Sequence, residues 1–295
     1  MCDEFTNRDE EEFLRRRGLT GAGLTRREFT GATAAVALAA ILPPVANALN
    51  VVEQDVMVST PDGEADCYFV HPVEGEYPAV IVWPDIKGIR PAFRAMGKRL
   101  AESGYSVVVV NPYYRTHKGP LISEGEEFRD PVVRERLMPH ARSLSPETCV
   151  TDGKAIVTWL DQQSPVDTDR KIGVTGYCMT GSYTMRLAAA IPERIGAGGS
   201  FHGGGLATDK PDSPHLLAPQ MEAAFLIAIA ENDDARNPGE KVLLRKAFDD
   251  ADVEAEIEVY AGTQHGWCPP DSGVYDEQAA EKAWNRLLVL LERAL

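Results

Sequence analysis

From residue 51 onward the hydrophobic positions of the chain switch between two rhythms. Residues 51–58 and 65–71 are β-branched stretches separated by Thr60-Pro61-Asp62-Gly63, which reads as two strands joined by a tight turn. Apolar runs then alternate with helical ones. Strands are predicted over 79–83, 106–111, 171–177, 196–201, 224–230 and 254–260, and helices over 92–103, 146–163, 179–190, 238–251 and 277–294. Val107-Val108-Val109-Val110 and Phe225-Leu226-Ile227-Ala228-Ile229 have no polar face, as expected of parallel strands covered by helices on both sides. The pattern predicts the α/β class: a mostly parallel, doubly wound sheet with helices on both faces and an antiparallel start. Residues 116–145, rich in charge and proline, are expected to form a loop with a short helix over one end of the sheet.

The first 48 residues follow a different logic. Thr25-Arg26-Arg27-Glu28-Phe29-Thr30 precedes an alanine-rich apolar run over 32–42, and Ala46-Asn47-Ala48 supplies the small residues a signal peptidase requires. The run is about 11 residues long, short of the ~20 that cross a bilayer, and Pro43-Pro44 stops any helix. The segment resembles a twin-arginine export signal. That resemblance implies the twin-arginine translocation machinery as a partner, removal of residues 1–48, no membrane span after cleavage, and a periplasmic or extracellular domain over 49–295. Retention as an uncleaved anchor is the alternative.

Charge narrows the function classes. Forty-five Asp and Glu against 30 Lys and Arg leave a net charge of -15, and most of it belongs to the domain rather than the leader. Such a surface repels a phosphate backbone, so nucleic-acid binding is not expected. Of five cysteines, Cys67, Cys149, Cys178 and Cys268 lie beyond residue 48, with no CxxC or HxxxH spacing, so no metal site is expected. Gly203-Gly204-Gly205 does not precede a helix as a dinucleotide loop would, and no cofactor is expected either.

One cysteine has a more specific setting. Gly176-Tyr177-Cys178-Met179-Thr180-Gly181 places Cys178 between an apolar strand and a helix, the form of a nucleophile elbow. A helix N-terminus beneath the sulfur favours thiolate over thiol; a buried structural cysteine is the plain alternative. Asp233 ends the next-to-last predicted strand and His265 follows the last, giving the chain order nucleophile, acid, histidine. Asp233 as a helix cap and His265 as a solvated loop residue are the bland readings of each taken alone. His202 also ends a strand but precedes the acid, so it is read as a pocket wall, with Trp267 as a further pocket residue.

These motifs make the chain similar to the dienelactone hydrolase family of the α/β-hydrolase superfamily, over essentially all of the chain after the leader. The family elbow Gly-Tyr-Cys-Leu-Gly-Gly is matched at 176–181, its histidine context by Gln264-His265-Gly266-Trp267, and its Glu-Ile-Phe-Gly segment by Asp85-Ile86-Lys87-Gly88. The resemblance implies the α/β-hydrolase fold and hydrolysis of small activated carboxylic esters or lactones. It implies Cys178 as nucleophile, His265 as base and Asp233 as its orienting acid, with the backbone N–H groups of Ile86 and Met179 as an oxyanion hole. It further implies that Asp85 holds the resting thiol. Two positions depart from the family: Thr180 replaces a glycine, and Pro269 stands where a substrate-binding arginine is expected; Arg129, Arg134 or Arg136 could substitute, but a solvated face is the favoured reading of that cluster. The competing readings are a hydrolase-fold binding protein without turnover and a thiol redox protein pairing Cys178 with Cys268.

Overall fold

The computed structural model describes residues 42–295 apart from residue 124, so the twin-arginine motif and all but the last residue of the apolar run behind it lie outside the described residues. Strands β1 (Val51–Thr60) and β2 (Gly63–Pro72) form the hairpin, with Pro61-Asp62 at its tip. The chain continues through β3 (Ala79–Trp83), α1 (Pro91–Glu102), β4 (Ser106–Val110), α2 (Pro131–Arg142), α3 (Pro146–Leu160), β5 (Ile172–Tyr177), α4 (Gly181–Ala190) and β6 (Ile195–Phe201). It closes with β7 (Ala224–Ala230), α5 (Glu231–Arg236), α6 (Pro238–Asp250), β8 (Ala255–Tyr260) and α7 (Glu277–Ala294). The strands form one sheet in the order β1-β2-β4-β3-β5-β6-β7-β8. The β1/β2 and β2/β4 pairs are antiparallel; every other pair is parallel.

Alternation along single strands divides the core between two faces. Ala79, Ile81 and Trp83 of β3 face a cluster completed by α3, α4 and α6, while Val80 and Val82 face α1 and α7. Each buried Val, Leu or Ile side chain there stabilises the fold by about 1.5–3 kcal/mol. Helix ends are set locally: Ser145 and Thr148 form a capping box on α3, and Asp130 and Asp276 cap α2 and α7.

Three elements differ from the sequence expectation. The helix expected from residue 179 starts at Gly181, because Cys178 has φ +58° and residues 178–180 close as a 3₁₀ turn. Helix α5 and a 3₁₀ segment, Pro214–Gln220, occupy stretches for which the pattern predicts no element. Both are too short to show an apolar period.

Candidate active site

Parallel strands bring their carboxyl ends to one edge, and the expected residues gather there. Cys178 follows β5 directly. Its left-handed backbone is unfavourable for a residue with a Cβ, so the surroundings must enforce it. They do so by contact. A Cβ on Gly176 would lie 2.1 Å from the Thr180 carbonyl oxygen, and one on Gly181 would lie 2.6 Å from Gly203 Cα. Thr180 has a role that its glycine counterpart cannot fill. Its buried hydroxyl oxygen accepts from Tyr177 N at 2.9 Å and lies 2.9 Å from Trp83 O and 3.0 Å from Pro84 O, stitching the elbow to the end of β3.

His265 is buried and bonded on both sides: Nδ1 lies 2.7 Å from Asp233 Oδ2, and its ring is also hydrogen-bonded to the Cys178 thiol. Burial alone would lower its pKa, but Asp233 and Cys178 outweigh burial and raise it to about 10. The first turn of α5 holds the whole histidine loop. Glu231 Oε2 accepts from Gly262 N, Asn232 Oδ1 accepts from His265 N, and Asp233 takes the ring. Sequence reasoning found only the third of these; the signal was Glu231-Asn232-Asp233, three acceptors in succession at a strand end. Burial raises the thiols of Cys67, Cys149 and Cys268, and none of the four described cysteines is joined in a disulfide.

The turn after β3 brings Ile86 beside Met179. Lys87 N donates to Asp85 Oδ1, and the Tyr113 hydroxyl donates to Ile86 O at 2.8 Å and approaches Met179 Sδ at 3.7 Å. Leu121, Phe128, Val133 and Leu137, from α2 and the stretch before it, pack with Tyr113 on Ile86 and Met179 as an apolar cover. A cavity of about 140 Å³ adjoins the other side of the site, between Gly203, Leu206, Asp233, Arg236, Lys241 and His265.

Three expectations meet a different geometry. Asp85 does not stand open beside the thiol, because both its oxygens are bonded to Arg90, at 2.7 and 2.9 Å. Trp267 is a core residue, fully buried and stacked on Tyr260 at 4.7 Å, because the turn at Gly266 aims it inward. His202 is likewise fully buried, behind the site rather than on a wall, with its ring 5.0 Å from that of His265. It has φ +41°, neither ring nitrogen has a hydrogen-bond partner among the described residues, and burial followed by the charge of His265 holds its pKa well below the ordinary histidine value. Arg129 and Arg136 are exposed, Arg136 pairs with Glu126, and Arg134 lies over Phe128. Among the described residues no cluster of three potential metal ligands occurs, and no helix is long and apolar enough to cross a membrane.

A doubly wound sheet with an elbow at the end of β5 and a histidine loop after β8 is the α/β-hydrolase fold. Solved structures share it: a Klebsiella pneumoniae protein described as a dienelactone hydrolase superposes with a TM-score of 0.71 at 21% identity, over 83% of this chain and 99% of the other. A dienelactone hydrolase-like promiscuous phosphotriesterase from metagenomic libraries gives 0.68 at 17% identity, over 83% and 98%. The dienelactone hydrolase family model matches residues 65–295, so the chain belongs to the dienelactone hydrolase family and is a carboxylic ester hydrolase. A Bradyrhizobium protein named "Probable 2-oxo-3-(5-oxofuran-2-ylidene)propanoate lactonase" is 26% identical over 76% of this chain and 87% of its own length. A Synechocystis protein that carries the name carboxymethylenebutenolidase is 24% identical over 77% and 91%.

Proposed function

We propose that the protein hydrolyses small activated carboxylic esters or lactones through a Cys178–His265–Asp233 triad and a thioester intermediate. The observation that carries this reading is the continuous hydrogen-bonded line from Asp233 through the His265 ring to a cysteine on a left-handed elbow. Cys178 attacks the carbonyl carbon as thiolate, and the oxyanion that forms is held by the N–H groups of Met179 and Ile86. His265, cationic at neutral pH, protonates the leaving oxygen as the C–O bond breaks. Water then attacks the thioester with His265 as base, releasing the acid and restoring the thiol. Thiolate leaves more readily than a simple alkoxide, so the intermediate collapses forward when the expelled oxygen is stable. That favours enol lactones and aryl esters over peptides and plain fats, and the apolar cover on Ile86 and Met179 suits such acyl groups.

The test is p-nitrophenyl acetate turnover by wild type and Cys178→Ala. Loss of kcat/KM by about 10³-fold or more is expected. Equal rates in the two proteins would point instead to a fold kept for binding.

Export by the twin-arginine route to the periplasm, with cleavage after Ala48, is proposed from the leader motif and from the exposed turn formed by Ala46-Asn47-Ala48. Intact mass and compartment of the expressed full chain test it; an uncleaved cytoplasmic protein would overturn it.

A further inference from the structure

Arg90, just before α1, has a guanidinium whose five N–H bonds all find acceptors. Nε donates to Asp271 Oδ2 at 2.6 Å and Nη2 to Asp271 Oδ1 at 3.0 Å. Nη1 donates to Asp85 Oδ1 at 2.7 Å and to Gly88 O at 3.2 Å, and Nη2 to Asp85 Oδ2 at 2.9 Å. The side chain is 2% exposed and lies over the Phe93 ring at 4.8 Å. Its two partners belong to different parts of the site: Asp85 opens the turn that carries Ile86, and Asp271 lies six residues beyond His265 on the segment leading to α7.

Register sets Asp85 and Cys178 at the same level of the sheet edge. Trp83 of β3 pairs with Gly176 of β5, so Asp85 and Cys178 each stand two residues beyond a matched pair on neighbouring parallel strands. An unpaired carboxylate at that edge would oppose ionisation of the thiol. Simple attachment of α1 to α7 does not require Arg90, because Arg99 already forks onto Glu281 at 2.5 and 2.7 Å.

We propose that Arg90 is a positioning residue that keeps the Asp85 carboxylate off Cys178 and ties the Ile86 turn to the histidine loop, leaving thiolate formation to His265 alone. This rests on the reading of Cys178 as nucleophile. The other charged and titratable groups around the bridge are Lys87, with Glu127 3.5 Å from its Nζ, and the two histidines, His202 and His265. Burial by itself would raise the Asp271 carboxyl, but the charges of Arg90 and Lys87 hold it below the usual carboxylate range, in line with a bridge that stays ionised.

The experiment follows alkylation of Cys178 by iodoacetamide from pH 5 to 9, read by mass spectrometry of the Cys178 peptide, beside p-nitrophenyl acetate kinetics and melting temperature. Arg90→Gln is expected to move the alkylation midpoint up by about one pH unit or more and to lower kcat with little change in KM. Arg90→Gln/Asp85→Asn, which removes the released charge, is expected to return the midpoint toward wild type without restoring the melting temperature. A merely structural Arg90 would leave the midpoint unmoved, or leave the double variant as shifted as the single one; either result overturns the proposal. Should Arg90→Gln not fold, Arg90→Lys takes its place, because one ammonium cannot fork onto both carboxylates, and the same shift in smaller size is expected. Activity that survives Cys178→Ala would overturn the nucleophile reading and this proposal with it. A Cys178-dependent enzyme indifferent to Arg90 would overturn only the proposal.

Discussion

Among the described residues, two bridges share one composition, one arginine between two aspartates, on the same edge of the sheet. In the first, Arg90 joins Asp85 and Asp271. In the second, Arg115 joins Asp62 at the hairpin tip to Asp152 inside α3, with the Tyr114 hydroxyl also donating to Asp152 Oδ1 at 2.7 Å. Arg115 is 16% exposed and Asp62 47%, against 2% for Arg90 and 10% for Asp85. The partners respond in opposite ways. Burial prevails at Asp152 and raises its carboxyl despite Arg115, whereas cations prevail at Asp271 and lower it. Composition alone therefore does not separate a bridge that supports chemistry from one that fastens a hairpin. What separates them is which backbone each carboxylate anchors.

The largest expected effect is on that contrast. Arg90→Gln should lower kcat/KM by about 10- to 100-fold and destabilise by about 3–5 kcal/mol, since it removes the cation shared by the buried Asp85 and the half-buried Asp271. Arg115→Gln should lower the melting temperature yet hold kcat/KM within about twofold of wild type. Equal catalytic losses would break the comparison. Next comes Thr180→Val, which leaves the buried Tyr177 N–H without its acceptor; a stability loss of about 1–3 kcal/mol in urea unfolding is expected, together with a lower kcat.

A smaller and directional effect concerns pH. The folded pKa of His265 is raised to about 10 from an ordinary 6.5, so the stabilisation it brings is complete below about 6.5 and is lost as pH rises through 10. The melting temperatures of wild type and His265→Gln should therefore differ most at mildly acidic pH and converge in strong alkali. A gap that widens with rising pH would contradict the assigned charge. Smallest of all, Arg136→Ala should change stability by no more than about 0.5 kcal/mol and leave KM for carboxylate-bearing lactones unaltered, because its guanidinium is exposed and paired with Glu126. A several-fold rise in KM would restore that arginine as a substrate ligand.

The middle of the sheet was legible in the chain because strands buried on both faces carry apolar runs, as in Val107-Val108-Val109-Val110, whereas the part-exposed β1 showed itself by β-branched residues beside a tight turn. Cys178, Asp233 and His265 were legible because each lies just beyond a predicted strand. Arg90 was not: 181 residues separate it from Asp271, and no local pattern announces a partner that distant. Asp85 was misplaced for a related reason, since similarity supplied a carboxylate at the right position but not the cation that occupies it. Trp267 was assigned to the pocket by adjacency to His265, yet one turn at Gly266 is enough to send neighbouring side chains to opposite sides.

The contact between Gly181 and Gly203 has a consequence for access. With backbone against backbone, the start of α4 and the end of β6 have no slack and must travel as one solid piece. Beyond the cavity already open beside Gly203 and His265, room for a bulkier guest comes with less strain from the opposite bank, where Phe128 and Leu137 rest on Ile86 and Met179 through side chains alone. Size tolerance is thereby a property of the cover, and variants that widen the range of accepted esters should map to residues 121–137 rather than to the bend that carries the sulfur.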